Sequence, residues 1–156
     1  MYKIKNPMNI SLNNIKKFFI NLGLEEMVNQ SVSRDLSVNE MKVDNPYKPD
    51  LKDLYRLYFF ILNNKRTTVI EFGSGWSSLV MALALTELKK KYSGDILKLR
   101  RNNPFELFII ENEKKFFSIS KKRLKKFRNK INIKINYLNT DVKMIIYKGI
   151  ISTEYK

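Results

Sequence analysis

The sequence has 156 residues, of which 44% are hydrophobic, so its length suits one domain with a buried core and its composition argues against general disorder. It contains no cysteine and no histidine, which excludes disulfides and thiolate metal sites and removes the commonest zinc ligand and general base. Its 30 basic and 15 acidic residues give a formal net charge of +15, which is compatible with nucleic acid, anionic lipid or an acidic substrate as partner.

The excess charge is carried mainly by lysine, in a chain that is also rich in asparagine and isoleucine, as an AT-rich genome would produce. Arginine makes better bidentate contacts with phosphates and bases than lysine does. The predominance of lysine therefore favours genome composition, rather than a nucleic-acid site, as the origin of the charge. No apolar run is long enough to cross a bilayer, and no signal-peptide core follows the basic start. We therefore expect a soluble cytoplasmic protein with no membrane span and no bound metal.

The first 65 residues predict a helical N-terminal extension. Two amphipathic helices are predicted, at residues 11–22 and 51–62, with Ser11 and Asp50 as suitable N-caps. Residues 25–44 have only weak periodicity and predict mostly loop with one helical turn. Two prolines in residues 45–49 disfavour regular structure before the second helix.

Residues 66–156 alternate between strand and helix patterns, which predicts an α/β domain. Strands are predicted at residues 67–72, 107–110 and 132–138, and helices at residues 76–91 and 113–130, with another helix opening within residues 140–147. This order predicts the N-terminal half of a doubly wound parallel sheet of the Rossmann-like type, with right-handed crossovers.

A glycine turn over residues 71–77 lies between the first predicted strand and its helix. In an open α/β sheet, ligands bind at this place, beyond the carboxyl ends of the strands. Gly73 and Gly75 carry no Cβ, so the backbone can turn sharply and a ligand can lie against it. A tight turn that binds nothing is the alternative interpretation of two glycines.

Three carboxylates favour a ligand at this turn, because each lies at or just after the carboxyl end of a different predicted strand. They are Glu71, Glu111 and Asp141. Glu71 suits a cationic group, Glu111 can accept hydrogen bonds from two ribose hydroxyls, and Asp141 can face an adenine amino group. Together with the glycines, they predict a site for a nucleotide-like cofactor.

The same residues resemble the motifs of the class I S-adenosylmethionine-dependent methyltransferases. The segment Val69-Ile-Glu-Phe-Gly-Ser-Gly-Trp-Ser-Ser78 is similar to their first motif, an acid followed by Gly-x-Gly after the first strand. Residues 109–113 and 139–141 are similar to their second and third motifs, which are acids at the ends of the next two strands. The resemblance covers residues 67–144 and implies a Rossmann-like fold, S-adenosylmethionine as cofactor, and methyl transfer to an oxygen or nitrogen of an unidentified acceptor.

The resemblance also implies roles for the residues of the turn. Gly73 and Gly75 would lie against the methionine part of the cofactor, and Glu71 would support its ammonium group. Glu111 would bind the ribose hydroxyls and Asp141 would face adenine. The expected cofactor-binding residues are Glu71, Gly73, Ser74, Gly75, Trp76, Ser77, Glu111 and Asp141. The N-terminal extension is expected to cover the cofactor side.

Two departures from the family pattern shape these expectations. Ser77 stands where many members carry a third glycine. A full domain of that family also needs more strands than can follow Asp141 within the chain. We therefore expect a fragment that ends after the third strand, with marginal stability and no methyl-transfer activity of its own. The catalytic residues are expected beyond residue 156, and none is assigned here.

Other nucleotide-binding motifs fit less well. A nicotinamide dehydrogenase would need glycine where Ser78 stands, and a ribose-binding acid about 20 residues after the turn, whereas Glu111 follows Gly75 by 36 residues. A P-loop nucleotidase is excluded because no Gly-Lys-Ser/Thr follows the turn.

A basic nucleic-acid-binding module without catalysis is the alternative from a different class. Residues 114–134 contain ten basic residues and no acid, interleaved with Phe116, Phe117 and Phe127. Such a pattern can track phosphates and stack bases. However, Phe117 and Phe127 also fit the buried stripe of a helix whose lysines form its solvated face, and we favour this interpretation.

Overall fold

The computed structural model describes residues 10–32, 45–96, 98 and 103–156. Within these residues the helices are α1 (Leu12–Asn21), α2 (Glu25–Gln30), α3 (Leu51–Asn63), α4 (Trp76–Ile96) and α5 (Lys114–Lys126). The strands are β1 (Thr68–Phe72), β2 (Glu106–Glu111), β3 (Lys134–Asn139), β4 (Val142–Tyr147) and β5 (Ile150–Tyr155).

A parallel sheet of order β1-β2-β3 confirms the predicted α/β architecture. The register pairs Glu71 with Ile109 and Glu111 with Asn139, so the carboxyl ends of all three strands meet at one edge. The central strand β2 is continuously apolar from Leu107 to Ile110, as expected for a strand of a parallel sheet that is covered on both faces. This arrangement brings the ends of β1 and β2, with their two carboxylates, close together.

One hydrophobic core joins the N-terminal helices to the sheet. Helix α4 is buried along most of its length, and α3 packs directly on it. Rings from α1 and α3 form an aromatic cluster with centroid separations of 4.6 to 6.4 Å; its members are Phe18, Phe19, Tyr55, Tyr58 and Phe59. This packing holds the start of α3 near the carboxyl end of β1.

The two predicted helix starts in the N-terminal extension are confirmed. The Ser11 hydroxyl accepts from the Asn14 amide at 3.4 Å. The Asp50 carboxylate accepts from the amides of Lys52 and Asp53 at 2.8 and 3.2 Å. These side chains satisfy amides that have no partner within the helix. Helix α2 is the helical turn predicted within residues 25–44, while residues 33–44 lie outside the described part of the chain.

The prediction of a helix that opens within residues 140–147 is wrong. Residues 142–147 form strand β4, which pairs with β5 in an antiparallel hairpin. Both residues of the connecting turn, Lys148 and Gly149, have positive φ (51° and 78°), as two-residue hairpin turns of type I′ require. The local pattern of β4 was compatible with either element, and its pairing with β5 decided the outcome. Helix α4 also continues to Ile96, beyond its predicted end at residue 91.

Across residues 10–32, 45–96 and 103–156, no helix combines the length and the apolar character needed to cross a membrane.

Candidate functional site

The glycine turn joins the end of β1 to the start of α4. Gly73 has a φ of +90°, a backbone conformation that residues with a side chain rarely adopt. Its amide donates a hydrogen bond to the Ile110 carbonyl at 2.8 Å. A Cβ added at Gly73 would meet no atom within 4 Å, and one added at Gly75 would meet only Ser77 Oγ at 3.6 Å. The turn therefore borders open space rather than packed side chains.

This open space belongs to a cavity of about 420 Å³ beyond the carboxyl ends of β1 and β2, which we name the turn cavity. Its volume lies within the range of about 300–1,000 Å³ that is typical of small-molecule sites. The N-terminal extension contributes residues 46–50, Asp53 and Leu54 to its wall, and α5 contributes Phe116 and Arg123. The extension thus covers the turn, as the sequence predicts.

The Glu71 carboxylate is held by two serines at the start of α4. Its Oε1 accepts from Ser77 Oγ and its Oε2 accepts from Ser78 Oγ, each at 2.5 Å. Ser78 is buried and also accepts from the Gly75 amide at 3.1 Å and from the Ser120 hydroxyl at 3.3 Å. This network ties the carboxylate, the turn and α5 into one arrangement, which restricts the orientation of Glu71.

Burial raises the pKa of Glu71 to about 7, because the charged form loses hydration. The hydrogen bonds from Ser77 and Ser78 oppose this shift, and the negative charge of Glu111 adds to it. The carboxyl group therefore changes charge near neutral pH. A cationic ligand group beside it would favour the ionised form.

Glu111 is buried at the end of β2 and lines the same cavity. Its Oε2 accepts from Ser74 Oγ at 2.7 Å and its Oε1 accepts from the Glu113 amide at 3.0 Å. A carboxylate offers about four lone-pair directions. These two hydrogen bonds leave about two acceptor directions for a ligand, one on each oxygen.

Arg123 and Trp76 form the side of the cavity next to α5. The guanidinium carbon lies 3.7 Å from the centroid of the Trp76 ring, and Trp76 itself is buried. Burial lowers the pKa of Arg123, although the carboxylate of Glu26 opposes the shift.

No family model, curated protein or solved structure matches the chain.

The structure brings seven of the eight predicted site residues together in the wall of the turn cavity. They are Glu71, Gly73, Ser74, Gly75, Trp76, Ser77 and Glu111. Asp141 is not part of this wall. It is exposed between β3 and β4, where its carbonyl accepts from the Lys156 amide at 3.1 Å. The chain enters the hairpin directly after β3, so the position of Asp141 depends on that hairpin.

The sequence analysis did not identify the cavity residues from the N-terminal extension or from α5. Asp50 was recognised only as an N-cap, and its place in the cavity wall follows from the packing of α3 on α4. Arg123 lies within a run of lysines, and nothing in its spacing separates it from them. Its contact with Trp76 is a tertiary feature that local pattern does not reveal.

Proposed function

We propose that the chain binds S-adenosylmethionine and forms the cofactor-binding part of a methyltransferase, with β1, β2 and β3 forming the N-terminal half of a doubly wound Rossmann-like sheet. The observation that carries this proposal is the composition of the turn cavity, where a glycine turn and two carboxylates meet at the ends of neighbouring parallel strands. The resemblance of residues 69–78 to the first methyltransferase motif supports the same cofactor.

The donors and acceptors of the cavity suit each part of this cofactor. The open space at Gly73 and Gly75 lets the methionine chain lie against the backbone. Glu71 can receive its ammonium group, and the two remaining acceptor directions of Glu111 match the two ribose hydroxyls. The contact of Asp141 with adenine stays a prediction, because its carboxylate lies outside the cavity wall.

The expected contribution of the chain to methyl transfer is binding and orientation. S-adenosylmethionine, when bound, supplies a methyl group that an oxygen or nitrogen nucleophile of the acceptor can take. The turn and the two carboxylates would fix the cofactor, and the N-terminal extension would shield it from water. Proximity and orientation of this kind can remove up to about 7–11 kcal/mol from the barrier of a reaction between two bound groups.

Titration calorimetry of the folded chain with S-adenosylhomocysteine tests the proposal. We expect binding at one site, and we expect Glu111→Gln to weaken it by about 1–2 kcal/mol, because an amide has one acceptor oxygen where the carboxylate has two. Glu113→Gln is the matched control, since the Glu113 side chain is exposed and outside the cavity wall. Absence of binding at millimolar ligand would refute the proposal.

A nucleic-acid-binding module is less well supported by the surroundings of α5. Phe117 packs edge-on against Tyr137 at 5.8 Å, Phe127 is half-buried against the core, and Phe116 lines the turn cavity. These aromatic rings are engaged in the fold or the cavity rather than displayed for base stacking. The exposed lysines of α5 then form a solvated face.

We accordingly expect only weak binding of single-stranded or duplex nucleic acid, independent of base sequence and lost near physiological ionic strength. Fluorescence anisotropy with labelled oligonucleotides at increasing salt measures this. Sub-micromolar affinity at about 150 mM salt would instead support the nucleic-acid module.

A further inference from the structure

Arg123 presents a positive charge to a cavity whose other charged residues are mostly acidic. The residue lies on α5, and its half-buried side chain reaches the turn cavity beside Trp76. The distance of 3.7 Å between its guanidinium carbon and the ring centroid is that of a guanidinium stacked on an indole. In a stacked arrangement, the N–H groups lie in the guanidinium plane and point away from the ring.

These N–H groups have no partner in the part of the chain that the structure describes. No hydrogen bond or ion pair of Arg123 occurs among those residues. The carboxylate of Glu26 attracts Arg123 electrostatically, but it forms its ion pair with Lys126, at 3.4 Å. A half-buried arginine with its donors unused can bind a ligand without first breaking an internal ion pair.

The remaining charges of the cavity define which anion fits. Lys48 lies in the same wall and is its other cation among the described residues. The carboxyl groups of Glu71, Glu111, Asp50 and Asp53 outnumber these two cations, and none of them is within 4 Å of the guanidinium group. Their negative potential disfavours a phosphate dianion. A carboxylate carries one charge and matches the planar arginine fork with two parallel hydrogen bonds.

We propose that Arg123 binds a carboxylate group in the turn cavity. The inference rests on the proposed function, in which this carboxylate belongs either to the methionine end of the cofactor or to the methyl acceptor. If it belongs to the cofactor, Arg123 and Glu71 together recognise a zwitterionic amino-acid group, with the carboxylate at the arginine and the ammonium at the glutamate. Arg123 then selects the amino-acid end and contributes nothing to nucleoside binding.

The experiment compares two ligands that differ only at the amino-acid end. S-adenosylhomocysteine and 5′-methylthioadenosine are titrated calorimetrically into the full chain, into Arg123→Gln, and into Arg128→Gln as a control at an exposed arginine just after α5. We expect Arg123→Gln to lower the affinity for S-adenosylhomocysteine about tenfold or more and to leave the affinity for 5′-methylthioadenosine within about twofold of the wild-type value. The control variant should change neither affinity. That result assigns the carboxylate to the cofactor.

A second measurement uses Trp76, the single tryptophan of the chain, as a reporter. If Arg123→Gln leaves the affinities for both nucleosides unchanged, acetate is titrated into the chain loaded with S-adenosylhomocysteine. A saturable change in Trp76 fluorescence that Arg123→Gln removes assigns the carboxylate to the acceptor. No change in either measurement overturns the inference, whereas failure of the wild-type chain to bind either nucleoside refutes the proposed function.

Arg123→Lys keeps the comparison valid if Arg123→Gln does not fold. Lysine retains the charge and most of the stem but lacks the planar fork. We expect Arg123→Lys to lower the affinity for S-adenosylhomocysteine about threefold and to leave the affinity for 5′-methylthioadenosine unchanged. An equal loss for both ligands would indicate a packing role on Trp76 and would overturn carboxylate recognition.

Discussion

Gly75→Leu is expected to lower the affinity for S-adenosylhomocysteine by at least about 100-fold, which is about 2.7 kcal/mol. Gly75 lines the turn cavity, and a Cβ at this position would meet only Ser77 Oγ, at the ordinary contact distance of 3.6 Å. Its φ lies outside the left-handed range that favours glycine, so a leucine requires no strained backbone. The added side chain would occupy space that the proposed function assigns to the methionine part of the cofactor.

Gly94→Leu is the matched control for this experiment. Gly94 lies in α4, outside the cavity wall, and an added Cβ would meet no atom within 4 Å. Both variants are titrated with S-adenosylhomocysteine after thermal melts establish that they fold. Wild-type affinity in a folded Gly75→Leu chain would contradict the placement of the ligand on the turn. Gly73 is unsuitable for this test, because its φ of +90° would mix backbone strain with ligand exclusion.

The sequence predicted those parts of the fold that depend on local interactions. The N-caps Ser11 and Asp50 mark helix starts because their side chains bond to amides two or three residues away. The β1 strand and the glycine turn are likewise local, since glycine at residue 73 meets the requirement for positive φ. The parallel pairing followed from the alternation of strands and helices.

The errors arose where residues outside a segment decide its structure or its position. The β4 pattern fits more than one element, and the Lys148–Gly149 turn with β5 makes it a hairpin. That hairpin in turn determines where Asp141 lies. In the site, residues 46–50 and Arg123 reach the cavity only because α3 and α5 pack near the turn. No periodicity within those segments encodes this contact.

The affinity for S-adenosylhomocysteine is expected to rise with pH below about 7 and to level off above it. Burial raises the pKa of Glu71 to about 7, so the carboxyl group is mostly protonated at pH 5.5. If its ionised form pairs with the ligand ammonium, binding below the pKa requires loss of one proton. The affinity should then rise nearly tenfold per pH unit between pH 5 and 6 and reach a plateau near pH 8.

Glu71→Gln is the matched variant, because its uncharged amide resembles the protonated acid in shape. We expect a flat affinity profile for this variant between pH 5.5 and 8, at a level close to that of the wild-type chain in acid. Parallel profiles for the two proteins, measured calorimetrically across this range, would show that Glu71 does not pair with the ammonium group.

The stability of the ligand-free chain is expected to follow the opposite trend. A carboxyl group whose folded pKa exceeds its unfolded value of 4.5 binds more protons in the folded state between pH 4.5 and about 7. Its contribution to the free energy of unfolding is therefore fully present in acid and is lost as pH rises through about 7. Relative to Glu71→Gln, the free energy of unfolding of the wild-type chain should fall by up to about 3 kcal/mol as the pH rises from 4.5 to about 7. Urea unfolding at pH 5 and pH 8 measures the difference. A wild-type chain that gained stability relative to Glu71→Gln at pH 8 would mean that the turn favours the ionised carboxylate without any ligand.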